Sequence, residues 1–201
     1  MRILVTGFEP FGNDSINASG EVVHRLPSSI GAHQITTAIL PVAFASSGPT
    51  LEQLITEHRP EAVICLGEAG GRDAITPESQ GVNMDDARIP DNDSDQPRNS
   101  PIDPAAPDVR PATIDPNAVV QTLIRQGFNA AVSDDAGRFV CNHIAFTAYG
   151  SGVPALFIHV PAVRPEGAQA LVGAETDGST TQSSWSFDQL ADALKTALAG
   201  L

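Results

Sequence analysis

The sequence predicts an α/β domain with three layers, in which a largely parallel, twisted mixed sheet is covered by helices on both faces (an α/β/α sandwich). Short apolar runs alternate with segments of helical periodicity along the whole chain, which is the pattern of such folds. The apolar runs are nearly continuous, as is typical of strands buried on both faces. The length of 201 residues fits one domain over residues 1–201.

Five short runs predict the strands of this sheet. Two of them, RILVT and AVICL, end at Gly7 and Gly67, and a glycine is a frequent stop signal after a buried strand. The predicted strands cover residues 2–6, 34–42, 62–66, 130–133 and 155–160.

Local start and stop signals delimit the predicted helices. Asn17 is a candidate N-cap, and Ser186 with Gln189 three residues later predicts a capping box. Pro49 fits the first turn of another helix, because its missing N–H costs nothing there. The predicted helices cover residues 17–26, 49–58, 115–126, 142–149 and 186–198.

Two stretches lack both periodicities. Residues 85–117 contain seven prolines and eight aspartates, so no regular structure is expected there. A long irregular segment inside a compact domain is usually functional or disordered. Residues 173–184 are small and polar, which predicts a surface loop.

Charge and composition exclude several classes of function. The formal net charge of −13 repels phosphate backbones and anionic lipids, so we expect neither nucleic-acid nor membrane binding. No apolar run approaches the roughly 20 residues that span a bilayer, and the first residues turn polar too soon for a signal peptide. Cys65 and Cys141 are therefore expected to be reduced in the cytoplasm.

The carboxyl ends of parallel strands are where α/β sheets bind ligands. The loop GFEPFG follows the first predicted strand, and a glycine-rich loop from Gly67 to Arg72 follows a second. Cys141 lies shortly after the predicted strand at 130–133, and His159 lies within the run ALFIHV. We expect these groups to meet at one edge of the sheet.

Cys141 is the sharpest candidate for chemistry. It lies close to a predicted helix N-terminus, where unpaired N–H groups and the helix dipole favour a thiolate. Position alone still favours a small buried hydrophobe, which is what most free cysteines are. Cys65 lies in mid-strand, where a structural role is expected.

A nucleophilic thiol needs a base. His159 at a strand end can reach a neighbouring loop, although taken alone it is equally typical of a core histidine. His143 follows Cys141 by only two residues, so on a helix it points elsewhere.

Metal and nucleotide motifs fail on inspection. The run from Asp91 imitates a calcium loop, but Gln96 stands at its sixth position and Ile102 at its twelfth, where glycine and glutamate are required. The chain contains no G-x-G-x-x-G, no phosphate loop and no G-x-S-x-G elbow. We predict no metal and no cofactor.

Five blocks, in order along the chain, resemble the pyroglutamyl peptidase (pyrrolidone-carboxylate peptidase) family of cysteine peptidases. They are GFEPFG at 7–12, GGR with ITPE at 70–78, DARIPDN at 86–92, FVCNH at 139–143 and FIHVP at 157–161. The resemblance is weaker over residues 93–117 and after residue 161.

The resemblance implies a catalytic triad of Glu78, Cys141 and His159. It implies that Cys141 attacks the carbonyl of an N-terminal pyroglutamyl residue and forms a thioester that water then hydrolyses. The backbone N–H of Cys141 and the guanidinium of Arg88 are the candidate oxyanion donors. For Arg88, a salt bridge to a nearby aspartate is the alternative.

The resemblance also implies an apolar slot for the pyroglutamate ring, lined by Phe8, Phe11, Phe139 and Val140. Glu68 belongs to the substrate loop and stands where the family usually has glutamine. An ionised Glu68 cannot donate a hydrogen bond to the lactam carbonyl, whereas binding through the backbone would leave activity intact.

The implied partners are peptides with an N-terminal pyroglutamate, and the implied assembly is a homodimer or homotetramer in the cytoplasm. Two alternatives stay open: a cysteine amidase for another cyclic amide, and a non-catalytic domain that binds a small molecule with the same fold.

Overall fold

The computed structural model describes residues 1–164 and 183–201. The strands are β1 (Arg2–Phe8), β2 (Ser29–Ile30), β3 (His33–Leu40), β4 (Ala62–Ala69), β5 (Thr76–Glu78), β6 (Gln80–Val82), β7 (Val109–Pro111) and β8 (Ala155–Pro161). The helices are α1 (Ala18–His24), α2 (Phe44–His58), α3 (Pro116–Arg125), α4 (Val140–Tyr149) and α5 (Phe187–Ala199). Among the described residues, no helix is both long and apolar enough to cross a bilayer.

Six strands form the main sheet, in the order β2-β3-β1-β4-β8-β5. The four central strands are parallel, and the edge strands β2 and β5 are antiparallel to their neighbours. A separate two-stranded ribbon pairs β6 with β7. The sheet is therefore mixed and mostly parallel, as the sequence predicts.

Two hydrophobic cores lie on opposite faces of the sheet. Alternate residues of β4 and β8, such as Ile64 and Ile158, pack with α1, α3 and α5 on what we call the α1 face. The residues between them, such as Val63 and Phe157, pack with α2 and α4 on the α4 face. Side chains alternate in this way because successive residues of a strand point to opposite sides. The three-layer fold is confirmed.

Helix boundaries were predicted well where the cap is local. Asn17 caps α1 through its side chain, and Ser186 and Gln189 form the predicted capping box of α5. The predicted start of α2 at Pro49 was wrong, because the helix begins at Phe44. Its first N–H donates to the Asp91 carboxylate, which is remote in sequence and leaves no local signal.

The remaining differences concern short elements. β2, β5, β6 and β7 were not predicted, and β7 contradicts the expectation of no regular structure over 85–117. These strands have two or three residues each, too few to show a period. The strand predicted at 130–133 was wrong, since only isolated bridges pair Ala130 with Ile75 and Ser133 with Glu78. Of the loop predicted at 173–184, all but the last two residues lie outside the described residues.

Candidate active site

The candidate site lies on the α4 face, at the carboxyl ends of the central strands. His159 of β8 and Gly67 of β4 are register partners. The His159 side chain and a side chain at position 67 would therefore point to the same face of the sheet. Phe157 lies two residues before His159 and points to that face as well. The Phe157 and His159 rings meet edge to face, with centroids 4.9 Å apart. This edge of the sheet therefore holds the imidazole against a buried aromatic ring.

Cys141 approaches the same point from the helix layer. It lies in the first turn of α4, one residue earlier than the predicted start of that helix, and it is 8% exposed. A Cβ atom on Gly67 would lie 2.9 Å from Cys141 Sγ and 2.7 Å from Cζ of Phe157. Only a glycine at position 67 leaves space for the Cys141 sulfur beside β4.

The N-terminus of α4 carries no side-chain cap. Phe139 occupies the N-cap position, and its side chain has no polar atom with which to accept a hydrogen bond. The first-turn N–H groups, including that of Cys141, point toward this end of the helix. They and the helix dipole favour negative charge at the sulfur and beside it.

His159 and Glu78 form a buried pair. Nδ1 of His159 lies 2.7 Å from Oε1 of Glu78, and the two side chains are 2% and 0% exposed. Nε2 of His159 has no hydrogen-bond partner among the described residues. The carboxylate therefore fixes one ring nitrogen and leaves the other for proton transfer.

Arg72 is the second partner of Glu78, a role that was not predicted from the sequence. Its Nη1 donates to the same Oε1 at 2.6 Å, and its Nη2 donates to the Asp135 carbonyl at 2.7 Å. Burial opposes ionisation of Glu78, but the hydrogen bond from His159 and the charges of His159 and Arg72 outweigh it and hold the pKa of the carboxyl below its usual value. The carboxylate is therefore ionised beside the imidazole at neutral pH.

The four residues predicted to line the ring slot come together. Phe8, Phe139, Val140 and Cys141 belong to one buried cluster, and Phe11 packs against it from the surface. Phe139 and Phe11 meet edge to face with centroids 5.3 Å apart. The thiol therefore lies in an aromatic environment at the end of the sheet.

The Arg88 and Glu68 side chains lie outside the buried aromatic cluster around Cys141. Arg88 is exposed and follows Ala87, which is buried in the same cluster as Cys141. Glu68 follows Gly67 and points to the α1 face, where its carboxylate accepts the Ala18 N–H at 2.6 Å and pairs with Arg164. The Glu68 side chain is thus engaged on the face opposite Cys141.

The other cysteine and the nearby histidine have separate environments. Burial raises the pKa of the Cys65 thiol to about 12, against a smaller opposing effect of a hydrogen bond with Thr6. Nδ1 of His143 lies 2.8 Å from the Asp85 carboxylate, so this ring points away from Cys141, as predicted. Neither group competes for the role of Cys141 or His159.

The site combines a thiol at a helix start with a buried imidazole and its carboxylate on the same face of the sheet. Cysteine peptidases use this combination of groups. Comparison with known proteins narrows this class. A family model described as pyroglutamyl peptidase matches residues 1–200. The chain belongs to the pyroglutamyl peptidase family, and it is a cysteine peptidase.

Individual relatives agree with the family. Pyrrolidone-carboxylate peptidases of Streptococcus pyogenes (serotype M5, strain Manfredo) and Streptococcus pneumoniae (strain 70585) are each 41% identical over 167 residues, covering 80% of this chain and 78% of the relative. The crystal structure of pyroglutamyl peptidase I from Bacillus amyloliquefaciens has a TM-score of 0.86 at 33% identity, covering 99% of this chain and 95% of the other. The crystal structure of pyrrolidone carboxyl peptidase from Pyrococcus furiosus has a TM-score of 0.87 at 33% identity, covering 98% of this chain and 96% of the other.

Proposed function

We propose that this chain hydrolyses the amide bond after an N-terminal pyroglutamyl residue, through a thioester on Cys141. The observation that carries the proposal is the packing of Sγ against Gly67, whose register partner His159 is held by Glu78. Family membership supports the reaction class, and this geometry supports the choice of residues.

Acylation begins with attack of the Cys141 sulfur on the pyroglutamyl carbonyl carbon. The thiol proton passes to Nε2 of His159, and the C–N bond of the tetrahedral intermediate then breaks. His159 returns the proton to the departing amine, which leaves as the shortened peptide. Glu78 stabilises the imidazolium throughout, because its ionised carboxylate stays at Nδ1.

Deacylation uses the same groups in reverse. His159 takes a proton from water, the hydroxide attacks the thioester, and the sulfur leaves with the proton returned from the ring. Both tetrahedral intermediates carry an oxyanion. We propose that the Cys141 N–H and the Arg88 guanidinium stabilise it, each contributing about 3–4 kcal/mol as measured for oxyanion donors elsewhere.

Specificity for pyroglutamate follows from its missing charge. Its lactam ring is flat and neutral, so a slot formed by Phe8, Phe11, Phe139 and Val140 can bury it without an unpaired ammonium. An ordinary N-terminal amine in the same slot would lose several kcal/mol of hydration.

Glu68 contributes to substrate binding through its backbone in this proposal. Its carboxylate already accepts hydrogen bonds from Ala18 and Arg164, so the change from the usual glutamine leaves the reaction intact. A Glu68→Gln variant with a much higher kcat/KM than the wild type would contradict this assignment.

The test is release of aminomethylcoumarin from its pyroglutamyl amide. Cys141→Ala abolishes release, whereas Cys65→Ala, which changes the buried thiol of β4, retains it. Chelation by EDTA has no effect, and the prolyl amide, which carries the charged ring nitrogen, is not hydrolysed. Activity that survives Cys141→Ala would overturn the mechanism, and binding of pyroglutamyl peptides without product would indicate a non-catalytic domain.

We further propose that the enzyme acts in the cytoplasm as a homodimer or homotetramer. The cytoplasm keeps cysteine thiols reduced, as a thiol nucleophile needs, which supports the location. The assembly rests on the family resemblance, and sedimentation velocity of the purified chain tests it.

A further inference from the structure

A buried guanidinium joins two carboxylates beside the candidate site. Nη2 of Arg164 lies 2.6 Å from Oδ2 of Asp14 and 2.7 Å from Oε1 of Glu68, and its Nη1 lies 2.9 Å from Oε2 of Glu68. Nε adds a second bond to Asp14 at 3.1 Å. Both carboxylates are therefore held by more than one N–H, the arrangement for which arginine is better suited than lysine.

The three side chains are shielded from water. The exposed fractions are 7% for Arg164, 14% for Asp14 and 10% for Glu68. Burial by itself disfavours the charged guanidinium, but the bonds to Glu68 and Asp14 outweigh it and raise the pKa of Arg164 above its usual value. Removal of the cation would leave two carboxylates close together in a shielded site, which is strongly unfavourable.

The cluster connects three segments that carry the proposed site. Asp14 belongs to the loop after β1, which also bears Phe11. Glu68 directly follows Gly67, the residue that packs against Cys141 Sγ. Arg164 lies five residues after His159, on the segment that continues from β8.

The same cluster fixes backbone as well as side chains. Nη2 of Arg164 donates to the Ile16 carbonyl at 3.1 Å, and Oε2 of Glu68 accepts the first N–H of α1, from Ala18, at 2.6 Å. The end of the loop after β1 is thereby attached to the carboxyl end of β4. At its beginning, the Gly12 N–H donates to the side chain of Asn92 at 2.9 Å, so the loop is attached at both ends.

We propose that Arg164 is a positioning residue for the pyroglutamate slot: through Asp14 and Glu68 it fixes the loop bearing Phe11 against the backbone at residue 68. This inference rests on the proposed function. Arg164 also neutralises the Glu68 carboxylate on the face opposite the thiol.

The proposal separates substrate binding from chemistry. Arg164 binds Glu68 on the face of the sheet opposite Cys141, so the attacking sulfur and its base keep their geometry when the cluster is broken. The loop after β1 loses the bonds that Arg164 makes to Asp14 and to the Ile16 carbonyl. Substrate affinity therefore suffers more than the rate of the bound complex.

The experiment measures kcat and KM for the pyroglutamyl coumarin amide with Arg164→Met, which keeps much of the aliphatic stem and removes the charge. We expect KM to rise about tenfold, equivalent to a tenfold loss of affinity, while kcat changes by less than about threefold. The rate of Cys141 alkylation by iodoacetamide stays at the wild-type value. Adding Glu68→Gln to this variant removes one of the two carboxylates that have lost their cation, and KM then returns part of the way to the wild-type value.

Arg25→Met is the matched control, because Arg25 also joins two carboxylates, Glu21 and Asp188, but does so at the surface between α1 and α5. It leaves both constants unchanged. If Arg164→Met does not fold, Arg164→Lys is measured instead, and it raises KM without lowering kcat.

Three results decide between the possibilities. An unchanged KM in an active Arg164 variant overturns the positioning role. Equal losses in kcat and alkylation rate also overturn it, because they indicate general damage to the site. A wild-type enzyme that releases no coumarin refutes the proposed function instead, so the two failures are distinguishable.

Discussion

Glu78 shows how one residue links the strands to the chemistry. It lies in β5, an edge strand of three residues, and its carbonyl accepts the hydroxyl of Tyr149 from α4 at 2.7 Å. Its Oε1 accepts hydrogen bonds from both His159 and Arg72. The residue is therefore fixed through its backbone by Tyr149 and through its side chain by an imidazole and a guanidinium. This arrangement can hold the imidazole in a single tautomer.

Substitution of Glu78 tests that role. Glu78→Gln keeps the shape of the side chain but cannot stabilise an imidazolium, so we expect kcat/KM to fall by about 10⁴-fold, as in the analogous change of a triad carboxylate. Steady-state kinetics on the coumarin amide provide the measurement. Glu61→Gln, which changes a carboxylate of an exposed ion pair, is the control and retains activity. A loss below about tenfold would exclude a triad role.

The lowered pKa of Glu78 has a consequence for stability. The pKa of this carboxyl is lower in the folded than in the unfolded chain. Its ionised form therefore stabilises the fold at pH values above the unfolded-state pKa, and this contribution is lost as the pH falls through the folded-state pKa. We expect wild type to lose more free energy of unfolding than Glu78→Gln between about pH 5 and pH 3. Urea titrations of both proteins across that range measure the difference. Parallel curves would show that Glu78 does not contribute.

At the scale of elements, what the sequence predicts is what is encoded locally. The caps at Asn17 and Ser186 and the apolar strands are each readable within a few residues, and they gave the fold. The beginning of α2 depends on Asp91, and β5 becomes a strand only by pairing with β8. Such long-range partners leave no periodic signal.

The residues of the candidate site likewise fall into those that local sequence signals indicated and those that depend on contacts remote in sequence. A strand end and a helix start indicated His159 and Cys141, but the role of Glu78 came only from the family resemblance. The importance of Arg164 depends on Asp14, which is 150 positions away, and Arg72 is held by the Asp135 carbonyl, which is 63 positions away. The glycine after the AVICL run marked a strand end, whereas its closeness to the sulfur appears only in the fold.

Gly67 in β4 offers a test of the contact between strand and helix. In Gly67→Ala the new methyl group overlaps both Phe157 and the Cys141 sulfur, and the sulfur is displaced because Phe157 is enclosed by the core. We expect kcat/KM to fall about 100-fold, the scale of loss for a misplacement near 1 Å. Gly31→Ala is the control: its φ of +56° makes alanine strained, but nothing lies within 4 Å of the added carbon. That variant loses stability and keeps its activity, and equal activity in both variants would refute the contact.

Over the whole molecule, acidic residues outnumber basic ones by 24 to 11, giving a net charge of −13. Five of the aspartates lie within residues 85–95, on the segment that carries Arg88. Ion pairs such as Arg164 with Glu68 use part of the limited positive charge inside the fold. The remaining excess of like charge repels itself across the surface and disfavours the compact state.

Screening by salt should therefore stabilise the protein. Raising sodium chloride from about 0.01 M to about 0.1 M shortens the Debye length from about 30 Å to about 10 Å, which weakens repulsion between distant surface carboxylates more than it weakens shielded pairs. We expect the free energy of unfolding, measured by urea denaturation at pH 7, to rise over this range. The variant Asp93→Asn with Asp95→Asn changes two exposed carboxylates of the 85–95 segment and responds less to salt. A fall in stability with salt would mean that attractive surface pairs outweigh the net charge.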